Sequence, residues 1–256
     1  MSIFIGTSQL GTRSFDSSGT SNFTLLLDGS TAEKAAPSAN YLKFNCGLSS
    51  DGIYWLNPGG LGAAQFYVSF QFDTQRAWVM VVANRTGTGA VGSISYANAT
   101  NPVVNTVGTY NANLGFNLWV GLQYWPYLGN TVNQYVATSP VGLTATHSRR
   151  SRWKFSGWSP TYAFLYPRGI VNDVGGITPG LYGYHAVNGF SLTTGDNDQD
   201  VHPGNCSSFY QGNPWWYGAC WDGNYFGFSN TDNVHWSGSS GDQHAYGAIF
   251  LSFTDV

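Results

Sequence analysis

Glu33 is the only glutamate in a chain of 256 residues, and lysine occurs three times. Surface helices are built largely from those two residues, so long helices lack their material. Val, Ile, Phe, Tyr, Trp and Thr are plentiful instead, and these suit the pleated, half-buried surface of a strand. The expectation is a mainly β (α+β) domain with few short helices, and one all-β domain can fill this length. Apolar residues are 42%, enough for a full core, while charged residues are 9%, against about 25% in an average domain. Low charge with abundant Gly, Asn, Ser and Tyr describes a neutral, hydrogen-bonding surface. It suits sugars and other uncharged polar ligands, and a formal charge of -3 gives no general basic footprint for nucleic acid.

Strand patterns follow one another along the chain. They occur at Asn22–Gly29, in "DGIYWLNPGG" (Asp51–Gly60) with its Asn-Pro-Gly-Gly turn, and in "AAQFYVSFQFDT". Further patterns are the continuous apolar run Arg76–Gly89, Phe116–Trp125, "TYAFLYPRGIV" and "YGYHAVNGFSLTT". The apolar C-terminal run His244–Phe253 is the kind that inserts into a central sheet. Residues 30–39 hold one helical turn before Pro37, and residues 1–40 read as an arm for attachment or oligomerisation, with a plain edge hairpin as the alternative. The basic cluster "HSRRSRWK" (Arg149, Arg150, Arg152, Lys154) is expected to be a solvated loop; an anionic glycan or an acidic neighbouring subunit would be its functional partner. No run of about 20 apolar residues occurs, so no membrane insertion is expected. No signal peptide is visible at the start, which lacks a basic stretch followed by an apolar one. The chain is therefore expected either to begin here in its mature form or to leave a cytosol by another route.

The segment from Thr193 to Asn224, "TTGDNDQDVHPGNCSSFYQGNPWWYGACWDGN", concentrates chemistry. Asp196, Asp198 and Asp200 alternate, and carboxylates so close repel unless a cation neutralises them. An EF-hand does not fit, because position twelve is Ser207 or Phe209 and no bidentate Glu is supplied. A metal-free cluster of Asx turns stands beside the cation reading. Cys206 and Cys220 enclose thirteen residues, a loop in which one disulfide would contribute ~3 kcal/mol by chain entropy. Trp215, Trp216 and Tyr217 lie inside it, where large rings ordinarily pack into the core. Tyr210 and Trp221, at the flanks, are expected to face a ligand.

The combination of "DNDQD", "NC", "WWY" and "AC" resembles the C-terminal part of fibrinogen-like domains, which reads roughly "F-T/S-T-x-D-x-D-N-D…N-C-A…G-x-W-W-Y…C-H-x-x-N-L-N-G". "DGIYWL", "RAWVMVV" and "FNLWVGL" are similar to that family's "SGVYTI", "GGWTVIQ" and "EFWLGL". The resemblance is strong over about 190–247 and collinear over about 41–125, whereas residues 126–175 and 1–40 have little to match. It implies a fibrinogen-like domain over 41–256, with a twisted, mostly antiparallel central sheet and a loop-rich calcium-binding C-terminal lobe at about 185–245. Calcium would sit on the side chains of Asp198 and Asp200 and the carbonyls of His202 and Gly204, leaving Asp196 as a turn residue or a support behind the ligands. The disulfide would join Cys206 to Cys220, and the Ala219–Cys220 peptide would be cis. The ligand pocket would use Tyr210, Ala219, Cys220, Trp221, Asn230, Thr231 and His244. Trp221 stands where the family has His, and Asn230 where it often has Tyr, which makes the pocket more polar than one shaped for an acetyl group. Cys46 would be a free thiol.

The resemblance implies a calcium-stabilised, lectin-like head that recognises a host-surface glycan and is not an enzyme. The stretch from "DGSTAEKAAPSA" into "DGIYWLNPGG" is similar to bacteriophage virion proteins that carry such a head, which places it at a virion surface or outside the cell. Weak single sites favour a homo-oligomer, since linked copies gain avidity without new contacts. Two alternatives are a structural virion protein that binds no sugar and a glycan-degrading enzyme. The second would need a carboxylate pair at a defined separation from Asp222, Asp232 and Asp242.

Overall fold

The computed structural model describes residues 2–5, 8–15, 21–72, 74–85, 94–100, 104–105, 118–137, 148–155, 167–174, 191–210, 212–217, 220, 234–235, 243–244 and 246–253. The chain forms two compact units, Met1–Val79 and Met80–Val256.

In the first unit β1 (Ser2–Ile5), β2 (Ser8–Phe15) and β3 (Ser21–Leu25) make a three-stranded antiparallel sheet in that order. The strand expected over Asn22–Gly29 thus stops at Leu25. Beyond it the Asp28 carboxylate turns the chain by accepting from the Ser30 N–H at 3.0 Å and hydroxyl at 2.6 Å. The expected helical turn is a 3-10 turn over Ala32–Lys34. Helix α1 (Ala39–Phe44) was not anticipated; its start is set by Ser38, whose hydroxyl accepts from the Tyr41 N–H at 3.1 Å. Strands β4 (Gly52–Leu56) and β5 (Ala64–Ser69) pair antiparallel, and Val68 and Ser69 pair with the first residues of β6 (Trp78–Arg85). The β4–β5 turn needs Gly59 and Gly60 at φ 62 and 73, a left-handed conformation that only glycine adopts freely. Leu42, Leu56, Phe66, Val68 and Trp78 form this unit's core. Asp51 fastens its edge by accepting from Ser69 Oγ and the Phe70 N–H.

In the second unit the strand order is β11-β10-β9-β14-β6, with β8 pairing β6 and β7 pairing β8. The ranges are β7 Val104–Asn105, β8 Leu118–Val120, β9 Thr131–Ala137, β10 Ser148–Phe155, β11 Pro167–Val174 and β14 Tyr246–Ser252. The C-terminal strand β14 is central, as its apolar run requires, and Gly247 to Ser252 are all buried. A side chain at Gly129 would run into the backbone of Ser252, so that glycine lets the chain pass beside β14. Of the run Phe116–Trp125, the described residues begin at Leu118 and are strand over Leu118–Val120. The chain continues as a 3-10 turn, Leu122–Tyr124, and a short helix, Trp125–Leu128, whose first turn accommodates Pro126. Short helices also form at Tyr96–Thr100 (α2) and, in the C-terminal lobe, at Cys206–Phe209. The helix Trp125–Leu128 is α3 and Cys206–Phe209 is α4. Strands β12 (Val234–His235) and β13 (Gln243–His244) pair antiparallel.

The basic cluster is not a loop. Arg149, Arg150, Arg152 and Lys154 lie in β10, hydrogen-bonded between β9 and β11. Charged side chains can alternate along a strand where its neighbours supply the ladder, and the cationic composition hid this. Of "TYAFLYPRGIV" the described residues begin at Pro167 and are strand, and of "YGYHAVNGFSLTT" only Ser191–Thr194 falls within the described residues.

Candidate metal and ligand site in the C-terminal lobe

The loop after Thr193 is pinned to the core at its entrance. Thr193 and Trp215 exchange backbone hydrogen bonds at 2.9 and 3.1 Å, and Thr194 pairs with Asn197. The Thr193 hydroxyl accepts from the Gln199 N–H at 3.0 Å. Asp196 then latches the loop to α2, accepting from Thr194 Oγ1 at 2.7 Å and from the Tyr96 N–H at 2.8 Å. Those donors, Thr194 first, hold its carboxyl below the usual aspartate range. Both contacts are made through Oδ1, so Asp196 serves the turn, as expected of it.

Asp198 and Asp200 follow with a different pattern. Asp198 Oδ1 accepts from the Asp200 N–H at 3.3 Å. Asp200 Oδ1 accepts from the His202 N–H and Oδ2 from the Cys206 N–H, each at 2.9 Å. The Asp200 carboxyl nevertheless titrates above the usual range, because burial opposes its charge and outweighs those two donors, and the neighbouring Asp198 charge adds to the effect. Asp200, with the Asp198 carboxylate beside it and the carbonyls that follow, forms a hard-oxygen donor set of the kind a cation takes. Of the carbonyls assigned beside them, that of Gly204 lies 2.8 Å from His202 Nδ1, and the Gly204 N–H lies 3.1 Å from the same nitrogen. A carbonyl oxygen has two lone pairs, so the Gly204 oxygen keeps one for an ion even with Nδ1–H donating to it. The residues therefore fit calcium in donor type and in placement along one loop.

Asn205 closes the loop. Its Oδ1 caps α4 by accepting from the Ser208 N–H at 3.0 Å, and its Nδ2 donates to Thr194 O at 2.9 Å. Cys206, wholly buried, is bonded to Cys220 as expected, with Cα atoms 5.0 Å apart. Cys220 is the one described non-glycine residue with positive φ, at 77. A left-handed L-residue costs roughly 1–2 kcal/mol, so the bridge holds the chain in a conformation it would otherwise leave. Cys46 is free, as expected; its thiol is pushed up to about 11 by burial first and by the charge of Asp28 second.

Behind the loop stands an aromatic core. Trp216 packs against Trp119, Trp125 and Trp215 at ring separations of 5.8, 5.6 and 5.4 Å. Trp215, Trp216 and Tyr217 are thus core residues, as rings inside a cystine loop ordinarily are. Tyr210 joins them. It is 4% exposed and stacks on Tyr217 at 5.3 Å, so its ring backs the lobe. The exposed ring is Phe209, 64% accessible, with the His202 ring edge-on at 5.9 Å. Phe209 was missed, because adjacent residues of a short helix point different ways and sequence does not say which faces in. Ala219, Trp221, Asn230 and Thr231 lie outside the described residues, as does the Ala219–Cys220 peptide; His244 is described only as part of β13.

The fold matches solved structures over most of its length. The fibrinogen-like globe domain of human ANGPTL6 aligns with a TM-score of 0.62 at 16% identity, covering 87% of this chain and 98% of that one. The fold is fibrinogen-like. Lamprey fibrin D-dimer, solved with the peptide ligand Gly-His-Arg-Pro-amide, aligns with a TM-score of 0.62 at 14% identity over 87% of this chain and 76% of that one. In sequence, the chain is 25% identical over 198 residues to fibrinogen-like protein A of Apostichopus parvimensis, covering 75% of this chain and 64% of that protein. It is 34% identical over 93 residues to fibrinogen C domain-containing protein 1-A of Xenopus laevis, covering 34% of this chain and 19% of that protein. The chain spans less than two thirds of either relative. No family model matches the sequence. Among the described residues no helix is long and apolar enough to cross a membrane.

Proposed function

We infer that this fibrinogen-like domain is a calcium-stabilised, lectin-like recognition head for host-surface glycans, displayed on a virion fibre or otherwise outside the cell. The observation that carries the reading is the loop joining Asp198 and Asp200 to Cys206. One carboxylate grips the backbone on both sides of His202–Gly204 and leads directly into the cystine that holds Cys220 left-handed. Calcium on Asp198 and Asp200, with the carbonyls of His202 and Gly204, would supply the charge that the converging carboxylates lack. The ion's part is structural: it stiffens the wall of a recess and leaves ligand contact to the chain. That recess would be formed by the backbone at Ala219 and Cys220, with Trp221, Asn230, Thr231 and His244 around it and Tyr210 as a buried support. An indole for stacking on sugar C–H groups and side-chain amide and hydroxyl groups for the hydroxyls suit a neutral glycan. A ligand-bound fibrin structure of the same fold supports recognition as its use. A binding role, and not catalysis, is the reading we adopt.

Residues 2–25 pair only among themselves in the described structure, which supports an arm that attaches the head or assembles copies of it. Linked copies would raise avidity for a sparse ligand without new contacts. The test is a glycan array probed with the whole chain in calcium and again in chelator. Calcium-dependent binding that Trp221→Ala abolishes with unchanged melting is expected. A blank array at millimolar monosaccharide would favour a virion protein that keeps the fold for structural purposes.

A further inference from the structure

A ring nitrogen of His202 and the sulfurs of Cys206 and Cys220 lie within 4.8 Å of one another. In the oxidised protein the two sulfurs are bonded to each other, and a disulfide sulfur is not the donor that a thiolate is. Reduction would change the chemistry of the spot while leaving the contacts that position His202 and Cys206; Cys220 would lose the restraint of the bridge, which the ion would replace. Cys206 keeps its N–H on Asp200 Oδ2, Asn205 keeps its cap on α4, and Ser207 Oγ donates to Asn213 O at 2.7 Å inside the core. The His202 ring is steered by the 2.8 Å contact of Nδ1 with Gly204 O and by the edge-on packing of Phe209. Contacts of that kind orient histidines that bind metals.

We propose that reduction of Cys206–Cys220 converts this corner of the lobe into a binding site for a zinc-class divalent ion, held by His202, Cys206 and Cys220. The balance is simple. A dithiol or phosphine reductant supplies two electrons, the S–S bond breaks, and two thiols form with two protons from water. The ion then displaces those two protons and takes two thiolates and one neutral imidazole, which cancels its charge. Two Cys and one His are an established zinc donor set, with a fourth position for water. Tetrahedral ligands about 2.0–2.3 Å from zinc stand roughly 3.5 Å apart, within the 4.8 Å spread of these three donor atoms. Cys220 is half-buried and Cys206 wholly buried, so a small reductant would approach the bridge from the Cys220 side. The site is distinct in kind from the oxygen donors of Asp198 and Asp200: sulfur and imidazole select zinc, cobalt and copper(I), whereas carboxylates select calcium. The inference does not rest on glycan binding or on calcium occupancy.

The probe is cobalt(II), whose bonds to thiolate give near-ultraviolet charge-transfer absorption. The whole chain carrying Cys46→Ser, which removes the third thiol, is reduced with a phosphine and titrated while near-ultraviolet circular dichroism reports tertiary packing. We expect thiolate–cobalt bands that saturate at one equivalent, are displaced by zinc, and are unmoved by excess calcium. We expect no such bands before reduction. His202→Ala in the same background should weaken cobalt at least tenfold. Bands of equal strength with His202→Ala would mean that loose thiols bind without the fold, and would overturn the proposal. So would displacement by calcium, absence of bands in a reduced chain that keeps its native dichroism, or native dichroism lost on reduction and not restored by zinc.

Discussion

Replacing both bridge cysteines tests whether the disulfide works against backbone strain. In Cys206→Ala with Cys220→Ala the fifteen-residue loop opens, which costs about 3 kcal/mol of unfolded-state restraint. Cys206 is fully buried, and losing its sulfur from a packed site costs about 1 kcal/mol more. Alanine at 220 still has to occupy φ 77 if the native loop is kept. Glycine there does not suffer the left-handed penalty of roughly 1–2 kcal/mol, although its unfolded state is more flexible. The order of stability should therefore be parent, then Cys206→Ala with Cys220→Gly, then the double alanine variant. At ~2–4 °C per kcal/mol for a chain of this size, the double alanine variant should melt roughly 10 °C below the parent by scanning calorimetry. The glycine variant should recover a few degrees of that. A double alanine variant within ~1 kcal/mol of the parent would refute the restraint argument. One at least as stable as the glycine variant would refute the strain argument.

Two further outcomes are expected. Asp196→Ala removes the acceptor of both the Tyr96 N–H and Thr194 Oγ1. Because the residue is exposed, the loss should be about 1 kcal/mol in urea denaturation, with Asp196→Asn intermediate; no change would mean that the latch to α2 is idle. Cys46 donates to Leu27 O at 3.6 Å, and its thiol is pushed from 9.0 to about 11. At pH 8.5 its thiolate fraction should be on the order of 70-fold below that of an ordinary thiol, read as slow iodoacetamide labelling of the folded chain. Since the folded value is the higher one, this group contributes stability that is present below pH 9 and lost as pH rises through about 11. Labelling at the rate of a free thiol would contradict the burial that causes the shift.

The site loop was largely legible in the sequence because its residues act on near neighbours. Asp200 and Asn205 reach backbone N–H groups within a few positions and Asp196 reaches the Thr194 hydroxyl, and short polar side chains do this by their nature. The central place of β14 was legible from its apolar run. The fate of aromatic rings was not. Phe209 ends α4 and Tyr210 follows as its cap, yet Tyr210 is buried against Tyr217 and Phe209 is open. Nor was β10, since four cations in six residues look like a loop until β9 and β11 are seen to flank them. β9 itself, "TVNQYVA", carries two amides that dilute a strand pattern, and its register with β14 is what makes it a strand. Helix α1 depended on a single capping serine after Pro37.

Calorimetric titration of the chelated, oxidised chain with calcium tests the central claim most directly, with Asp198→Ala and Asp200→Asn alongside. One ion per chain should bind with a dissociation constant on the order of 10⁻⁴ M, as in extracellular modules with few carboxylates, and neither variant should give measurable heat. No heat from the parent, or binding that survives both substitutions, would contradict the account.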